Sequence, residues 1–338
     1  MNIDNLSRLI LSSRFDVCHS RCTFDYSRMI YRSRVNGRSI KLFKVLLSNR
    51  CRFDCKYCRN AWYKGISASP EEIAKVFRIM KEKNLVSGAF ISSAVDSDPD
   101  NVMEKLLETG RLIRKFHSGY LHLKIIPGSS PEYIEEAIDL ANRVSINLET
   151  TSDSRMNEIS SVKRLKEDIF RKQRKIQREI KKAKEARRSQ TTQIIAGIGE
   201  SDLEILKIMH KEYSEIGVSR VYISGFTPLK GTPMENFRKE RRKRVVNLYR
   251  MDALLRMYGY SPKLIESVME DGMLPSIDPK MAIAEKLENL ELEQIPGCGK
   301  RISQLLRQGK SLAEIKRMGY SIKRISAYLP AQTKLTEF

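Results

Sequence analysis

The sequence lacks the features of several common classes of protein. Its 338 residues contain no run of about 18 or more apolar residues, so we expect no membrane-spanning helix and no membrane partner. The N-terminus carries Asp4 and no long apolar stretch, which argues against a secretory signal. Six unevenly spaced cysteines are too few for a disulfide scaffold in a chain this long and favour metal or redox chemistry. We therefore expect a cytoplasmic protein.

Acidic residues are scarce relative to basic ones. The chain has 62 Lys and Arg against 41 Asp and Glu, a net charge of +21. Such a field is costly in self-repulsion unless a polyanion is bound, and nucleic acid is the common polyanion. Residues 163–188 alone hold 13 basic and 4 acidic residues, with Leu165, Ile169 and Ile176 on one helical face. We expect this helix to pack on a sheet and to turn a basic rim towards phosphates, although a merely solvated face is the alternative.

Short apolar segments alternate with amphipathic helical segments from residue 39 onwards, a pattern typical of an α/β protein with a parallel sheet. The predicted strands are 40–48, 88–95, 121–128, 144–150, 191–199 and 219–229. Helix starts are predicted at Ser69, Ser130 and Ser201, each followed by Pro or acidic residues. A partial (βα)6 barrel and a doubly wound sheet both fit, and both collect chemistry at the carboxyl ends of the strands.

The C-terminal part reads as a separate all-α unit. Pro275 and Pro279 interrupt the preceding helix, and Lys-Arg-Ile-Ser at 300–303 recurs at 323–326. The simplest interpretation is a repeated helix-turn-helix pair. The predicted division of the chain is an N-terminal extension (1–38), a barrel (39–235), a helical linker (236–278) and a helix-hairpin-helix domain (279–338).

Three cysteines after the first predicted strand give the strongest chemical signal. Cys51, Cys55 and Cys58 follow the spacing C-x3-C-x2-C. Soft thiolates select zinc or iron–sulfur clusters, and no fourth ligand for zinc lies nearby. Three thiolates on a 4Fe-4S cluster leave one iron open, which is a catalytic arrangement. Cys18 and Cys22, with His19 between them, are candidates for a second metal site or a hydrogen-donating thiol, and the sequence leaves both open.

This cysteine motif in a six-unit βα array resembles the radical S-adenosylmethionine (radical SAM) superfamily, which implies a partial (βα)6 TIM-like barrel. The resemblance implies a 4Fe-4S cluster on Cys51, Cys55 and Cys58, whose open iron binds SAM, and a one-electron reductant such as flavodoxin or ferredoxin. Reduced, the cluster splits SAM into methionine and a 5′-deoxyadenosyl radical. Tyr57 stands where the superfamily has an aromatic residue beside the adenine.

Other cofactor-binding residues are implied by the same resemblance. Ser92 and Ser93 end the second strand, where the superfamily binds the SAM amino group, here without its usual glutamate. Glu149 ends the fourth strand, where ribose and methionyl contacts occur. In the fifth strand Ile195 and Gly197 match a motif in which the isoleucine packs on adenine; a core role for Ile195 is the alternative.

The segment Ile-Pro-Gly-Cys-Gly-Lys at 295–300 resembles the helix-hairpin-helix motif of DNA repair enzymes. Gly297 and Gly299 let backbone N–H groups approach a phosphate without a Cβ clash, and Lys300 and Arg301 add positive charge. Contacts of this kind position DNA without reading its sequence. A hairpin that binds protein is the alternative.

A radical SAM core followed by such a hairpin resembles the group named DNA modification or repair radical SAM proteins. The resemblance implies an enzyme that modifies a DNA base or repairs a lesion. Two other interpretations remain: a radical SAM enzyme that modifies RNA, and a nucleic-acid-binding protein whose cluster is structural.

Overall fold

The protein was analysed as a computed structural model, which describes residue 9 and residues 30–35, 38–183 and 188–329. These residues form two compact units. The first contains the described residues up to 200 together with 211–241. The second contains 201–210 together with the described residues from 242 onwards.

The first unit is built on a curled sheet of seven strands in sequence order, a half-barrel of mixed α/β class. β1 is antiparallel to β2, and all the other neighbours are parallel. The six predicted parallel strands are therefore present, and β1 is a further strand that lies within the segment expected to be an extension. The strands are β1 Ile30–Val35, β2 Arg38–Leu46, β3 Gly88–Ser92, β4 Tyr120–Lys124, β5 Arg143–Ser145, β6 Ser189–Ala196 and β7 Arg220–Gly225.

Five α-helices among the described residues of the first unit lie between these strands. They are α1 Pro70–Glu82, α2 Pro99–Arg114, α3 Tyr133–Leu140, α4 Asp153–Ile159 and α5 Arg171–Lys182, the last preceded by a π-helical turn, Leu165–Phe170. Ser69 caps α1 as predicted: its hydroxyl accepts a hydrogen bond from the backbone N–H of Glu72, whose carboxylate accepts one from the Ser69 N–H in return. The predicted cap at Ser130 is wrong. The Ser130 hydroxyl donates to Asp100 at 2.6 Å, and α3 begins three residues later without a side-chain cap.

The parallel strands bury both faces, as a sheet covered by crossover helices should. Inside the curl, polar side chains replace part of the apolar core. His122 stacks on Phe90 with ring centroids 4.0 Å apart, and its Nε2 lies 2.8 Å from the hydroxyl of Ser145. Burial lowers the pKa of His122 well below its usual value, so the imidazole is neutral. Buried polar side chains on the parallel strands are consistent with a functional site at the carboxyl ends of these strands.

The second unit is helical, and no strand of the sheet belongs to its described residues. Its helices are α6 Asp202–Lys211 (residues 202–210 of it), α7 Arg242–Ala253, α8 Pro262–Glu266, α9 Pro279–Lys286, α10 Lys300–Arg307 and α11 Leu312–Arg317. The buried carboxylate of Asp202 accepts hydrogen bonds from Arg244 and from the Leu274 N–H, both at 2.8 Å. Within the described residues no helix is both long and apolar enough to span a bilayer.

Candidate active site

The loop that carries the three cysteines follows β2 and is closed by its own backbone. The N–H of Cys51 donates to the carbonyl of Asn60 at 3.0 Å, and that of Cys58 donates to the carbonyl of Cys55 at 3.0 Å. The indole N–H of Trp62 donates to the same Cys55 carbonyl at 3.0 Å. These bonds hold the three thiols on one compact turn.

Two further contacts attach this loop to its neighbours. The Arg52 N–H donates to the carbonyl of Val95, beyond β3, at 2.7 Å. The Asp54 carboxylate accepts from the Ser160 hydroxyl at 2.7 Å and from the Ser161 N–H at 2.9 Å. Burial alone would raise the pKa of Asp54, but these hydrogen bonds outweigh it and lower the pKa to about 2. Asp54 is thus an ionised acceptor that fixes the loop against the segment after α4.

The thiols themselves suit a metal centre. Burial, and next the charge of a neighbouring cysteine, raises the pKa of Cys58; burial also raises that of Cys51. Both therefore keep their protons until a metal displaces them. Within the described parts of the chain no three His, Cys, Asp or Glu side chains are placed to hold a single metal ion. Three thiolates carried on one loop are the donor type that iron–sulfur clusters bind. The donor set therefore fits a cluster.

A cavity opens beside this loop at the carboxyl ends of the strands. Its empty volume is about 1210 Å³, counting space open to solvent. Seven of the nine residues predicted for the cluster or for SAM line it: Cys51, Tyr57, Cys58, Ser92, Ser93, Glu149 and Ile195. The strand-end positions inferred from sequence therefore converge on one space.

Cys55 and Gly197 are not among the lining residues. Cys55 is buried beneath the loop, with 4% of its surface exposed. Gly197 has φ +100°, and a Cβ there would lie 2.8 Å from the Cβ of Glu240. Glycine is thus required by the close approach of Glu240. The following residues are held by Glu200, which accepts hydrogen bonds from the N–H groups of Gly197 (2.7 Å) and Ile198 (2.9 Å).

Lys163 is a cavity residue that sequence reasoning assigned only to the basic rim. Its side chain is buried, and its Nζ lies 3.2 Å from Oε1 of Glu149. Burial alone would lower the pKa of Lys163, but its electrostatic interactions with Cys55 and Glu149 outweigh burial and raise the pKa. The ammonium group is therefore charged and sits between the cysteine loop and the carboxylate.

Glu149 has an unusual backbone as well as a buried charge. Its φ is +65°, in the left-handed region that costs about 1–3 kcal/mol for a residue with a Cβ. The N–H of Glu149 donates to the Gln193 carbonyl at 2.9 Å, and its own carbonyl accepts from the Ile195 N–H at 2.8 Å. This bridging to β6 holds the strained conformation and directs the carboxylate into the cavity.

Tyr57 completes the polar cluster. Burial, and next the charge of Glu149, raises the pKa of the Tyr57 phenol well above its usual value. Tyr57 is therefore a neutral phenol close to Glu149. The carboxylate of Glu149 thus lies among Tyr57, Lys163 and the amide of Asn147, whose Nδ2 is 3.4 Å away.

The four residues predicted to bind nucleic acid lie on a tight turn in the second unit. Gly297 has φ +87°, and a Cβ there would lie 3.0 Å from Arg324 Cβ and 3.3 Å from Ile325. The turn therefore packs on the second copy of the repeat. Gly299 is the N-cap of α10, with no side chain capping the helix, and Lys300 and Arg301 are exposed in its first turn. No helix immediately precedes this turn in the described chain, because α9 ends at residue 286.

The remaining cysteines divide between described and undescribed parts of the chain. Cys18 and Cys22, and His19 between them, lie outside the described residues. Cys298 is fully buried in the core of the second unit with Ile295 and Ile302. Burial raises the pKa of this thiol to about 11, so Cys298 is a neutral core residue.

Known proteins resemble the first unit in sequence and in structure. Residues 45–211 match the family profile of the radical SAM superfamily. An uncharacterised protein of Methanocaldococcus jannaschii is 25% identical over 209 residues, which are 58% of this chain and 51% of that protein. Methylornithine synthase (PylB) matches in structure with a TM-score of 0.53 and 15% identity, over 68% of this chain and 64% of that one. The hydrogenase maturase HydG of Carboxydothermus hydrogenoformans matches with a TM-score of 0.51 and 14% identity, over 64% and 51%.

The chain spans about half to two thirds of the length of these proteins, and structural likeness at this identity shows the fold alone. The match to the superfamily profile also indicates the cofactors. The cofactors of radical SAM enzymes are a 4Fe-4S cluster and SAM, and these enzymes need an electron donor.

Proposed function

From the premise that residues 45–211 form a radical SAM superfamily domain, we propose that the chain is an enzyme that modifies or repairs DNA. When bound, the cluster and SAM supply a 5′-deoxyadenosyl radical, which abstracts hydrogen from a substrate. The part played by the chain is to hold SAM and the target atom in register and to exclude water. A one-electron reductant such as flavodoxin or ferredoxin delivers the electron.

Each predicted cofactor residue has a specific part in this proposal. Cys51, Cys55 and Cys58 ligate the cluster, and Tyr57 borders the adenine. Ser92 and Ser93 offer hydroxyl or carbonyl groups to the SAM amino group, and Glu149 contacts the ribose or methionyl group. Ile195 packs on the adenine. The contribution of Gly197 is to let the chain pass Glu240, which positions the end of β6.

The DNA target is supported by one observation, the turn at 295–300. Its two glycines and the uncapped start of α10 present backbone N–H groups beside Lys300 and Arg301. A helix N-terminus with flanking cations binds phosphate groups. Because a radical in a cavity reaches only atoms inside it, a base in duplex DNA must be flipped out or already unpaired. Contacts at this turn would hold the DNA backbone.

Mass spectrometry of nucleosides tests this proposal. Reduced holoenzyme with SAM is incubated with genomic DNA or with transfer RNA, and the digested nucleosides are compared with those from a Cys55→Ala control. A new or missing deoxynucleoside, together with released 5′-deoxyadenosine, supports the proposal. A change confined to RNA would make the protein an RNA-modifying enzyme. A full cluster that releases no 5′-deoxyadenosine would leave only a nucleic-acid-binding scaffold.

A further inference from the structure

A second basic surface lies on the first unit, on the outward face of α5 (Arg171–Lys182). A groove there holds about 790 Å³ of empty space, counting the part open to solvent. Four cations line it, together with Gln177, Glu215 and Ile216. The cations, which we call the α5 stripe, are Arg171, Arg174, Arg178 and Lys181.

The α5 stripe follows from helical geometry. Its members are three or four residues apart, so each is a neighbour of the next on one face. All four are exposed, whereas Ile176 on the opposite face is fully buried. At 1.5 Å per residue the stripe is roughly 15 Å long, the axial rise of about four phosphates on one DNA strand.

The charges of the α5 stripe are not neutralised by the protein. Among the described residues none of its four cations makes an ion pair or a side-chain hydrogen bond. By contrast, Arg111 on α2 binds three carboxylates, those of Glu104, Glu108 and Glu136. Like charges at these spacings destabilise a helix. The stripe therefore destabilises the free protein, and a bound polyanion would relieve this repulsion.

Among the residues that the structure describes, Glu215 lines the groove and Glu212 interacts with Arg174, and neither carboxyl group neutralises the stripe. Glu215 is exposed and lines the groove, against four positive charges. Glu212 is fully buried, and although Arg174 and Lys211 act to lower its pKa, burial raises that pKa to about 8. Glu212 is thus mostly protonated at pH 7, and the groove keeps a strong positive charge.

The chain connects this groove to the active-site cavity. Lys163 lines the cavity, and Arg171 begins the stripe eight residues later, with only the π-helical turn Leu165–Phe170 in between. A crossover helix starts near the carboxyl ends of the strands and runs back along the sheet. The stripe therefore begins on the side of the barrel where the cavity opens.

We propose that the α5 stripe binds the phosphates of the DNA that delivers a nucleotide to the cavity. The inference rests on the proposed action on DNA. Three of the four cations are arginines, whose guanidinium groups can bind phosphate oxygens in bidentate fashion. A membrane surface fits less well, because Ile216 is the only apolar residue of the described groove lining and it is buried. The α5 stripe and the turn at 295–300 are then two phosphate sites on different units.

The experiment measures how DNA affinity depends on salt. Fluorescence anisotropy with a labelled mixed-sequence duplex is recorded for the holoprotein between about 50 and 200 mM salt. The stripe variant carries Arg171→Gln, Arg174→Gln and Arg178→Gln. Its matched control removes three exposed charges elsewhere on the same unit, through Lys75→Gln, Lys83→Gln and Lys115→Gln. A second stripe variant replaces the same three arginines by lysine and keeps the charge.

Each phosphate contact contributes about 0.9 to the magnitude of the slope of log K against log salt. With three contacts removed, the stripe variant should have a slope whose magnitude is smaller by about 2.7. We expect less than about 0.5 for the control, and we expect the lysine variant to keep its slope but bind more weakly. Release of 5′-deoxyadenosine without DNA should be unchanged in every variant, which shows that the cofactor site is intact.

The two proposals fail in different ways. If the wild-type protein binds DNA and the stripe variant keeps its full slope, the stripe is not a DNA site, while the proposed function stands. Equal losses of slope in stripe and control variants would also overturn the inference, since they would reflect net charge alone. If the wild-type protein does not bind DNA at all, the proposed function and the stripe fail together.

Discussion

Replacing Glu212 by glutamine should stabilise the protein at alkaline pH. Glu212 is fully buried, and its Oε2 accepts a hydrogen bond from the side-chain amide of Gln173 at 2.8 Å. Burial raises the pKa of Glu212 from 4.5 to about 8, because the charged carboxylate loses its hydration inside the protein. Glutamine has nearly the shape of the protonated acid but cannot ionise.

The sign and the size of the effect on the free energy of unfolding follow from the two pKa values. Below pH 4.5 the group is protonated both folded and unfolded, and its contribution to folding is fully present. As the pH rises, the unfolded chain releases the proton first, so the free energy of unfolding falls until the folded group also ionises near pH 8. At 1.36 kcal/mol per pKa unit the full effect is roughly 5 kcal/mol, of which about 4 kcal/mol falls between pH 5 and pH 9.

Urea unfolding followed by far-ultraviolet circular dichroism measures this effect. The difference in unfolding free energy between Glu212→Gln and wild type should grow in favour of the variant by about 4 kcal/mol from pH 5 to pH 9. Gln173→Leu removes the hydrogen-bond partner without removing the carboxyl group, so this control should keep the pH dependence. A difference that stays constant with pH would refute the reasoning, because Glu212 would then ionise as easily folded as unfolded.

Three other predictions concern the two candidate sites. Lys163→Met leaves the Glu149 carboxylate without its cation and should cost about 3–5 kcal/mol in urea unfolding; adding Glu149→Gln should recover most of this loss, and no recovery would argue against the ion pair. Asp54→Asn weakens the hydrogen bonds that hold the cysteine loop and should lower stability by about 1–3 kcal/mol at pH 7. Because the folded pKa of Asp54 is about 2, the stability difference between wild type and Asp54→Asn should shrink as the pH falls from 4 towards 2. Melting curves at several pH values measure this trend, and a difference that does not shrink would show that the carboxylate is free of these hydrogen bonds. If the turn at 295–300 binds DNA as proposed, Lys300→Gln with Arg301→Gln should reduce the magnitude of the salt slope of DNA binding by about 1.8, measured by anisotropy, and an unchanged slope would show that this turn does not contact DNA.

The parallel strands could be predicted because each is a short apolar run between helical segments. β1 was missed because its sequence, IYRSRV, has few apolar residues and resembles an unstructured basic stretch. A usable signal was present nonetheless. Asn36-Gly37 separates β1 from β2, and this dipeptide between two strands is typical of a two-residue hairpin.

Much of the candidate site could be located in advance because the carboxyl ends of parallel strands meet at one edge. Lys163 could not be found this way. It is one of 13 basic residues in its segment, and nothing local marks it as the one that turns inward. Its partner Glu149 lies 14 positions earlier, and the pairing depends on how the segment after α4 folds back. Ser130 failed as a cap for a related reason: a residue distant in sequence, Asp100, competes for its hydroxyl.

The bond from the Trp62 indole to the Cys55 carbonyl also provides an intrinsic optical probe. Trp62 is the sole tryptophan of the chain, so all indole emission arises from a side chain that is bonded to the cysteine loop. Iron–sulfur clusters absorb broadly in the near ultraviolet and visible range and quench nearby fluorophores by energy transfer. The fluorescence intensity of Trp62 can therefore report, in real time and without a label, when the cluster is loaded, lost in air or rebuilt.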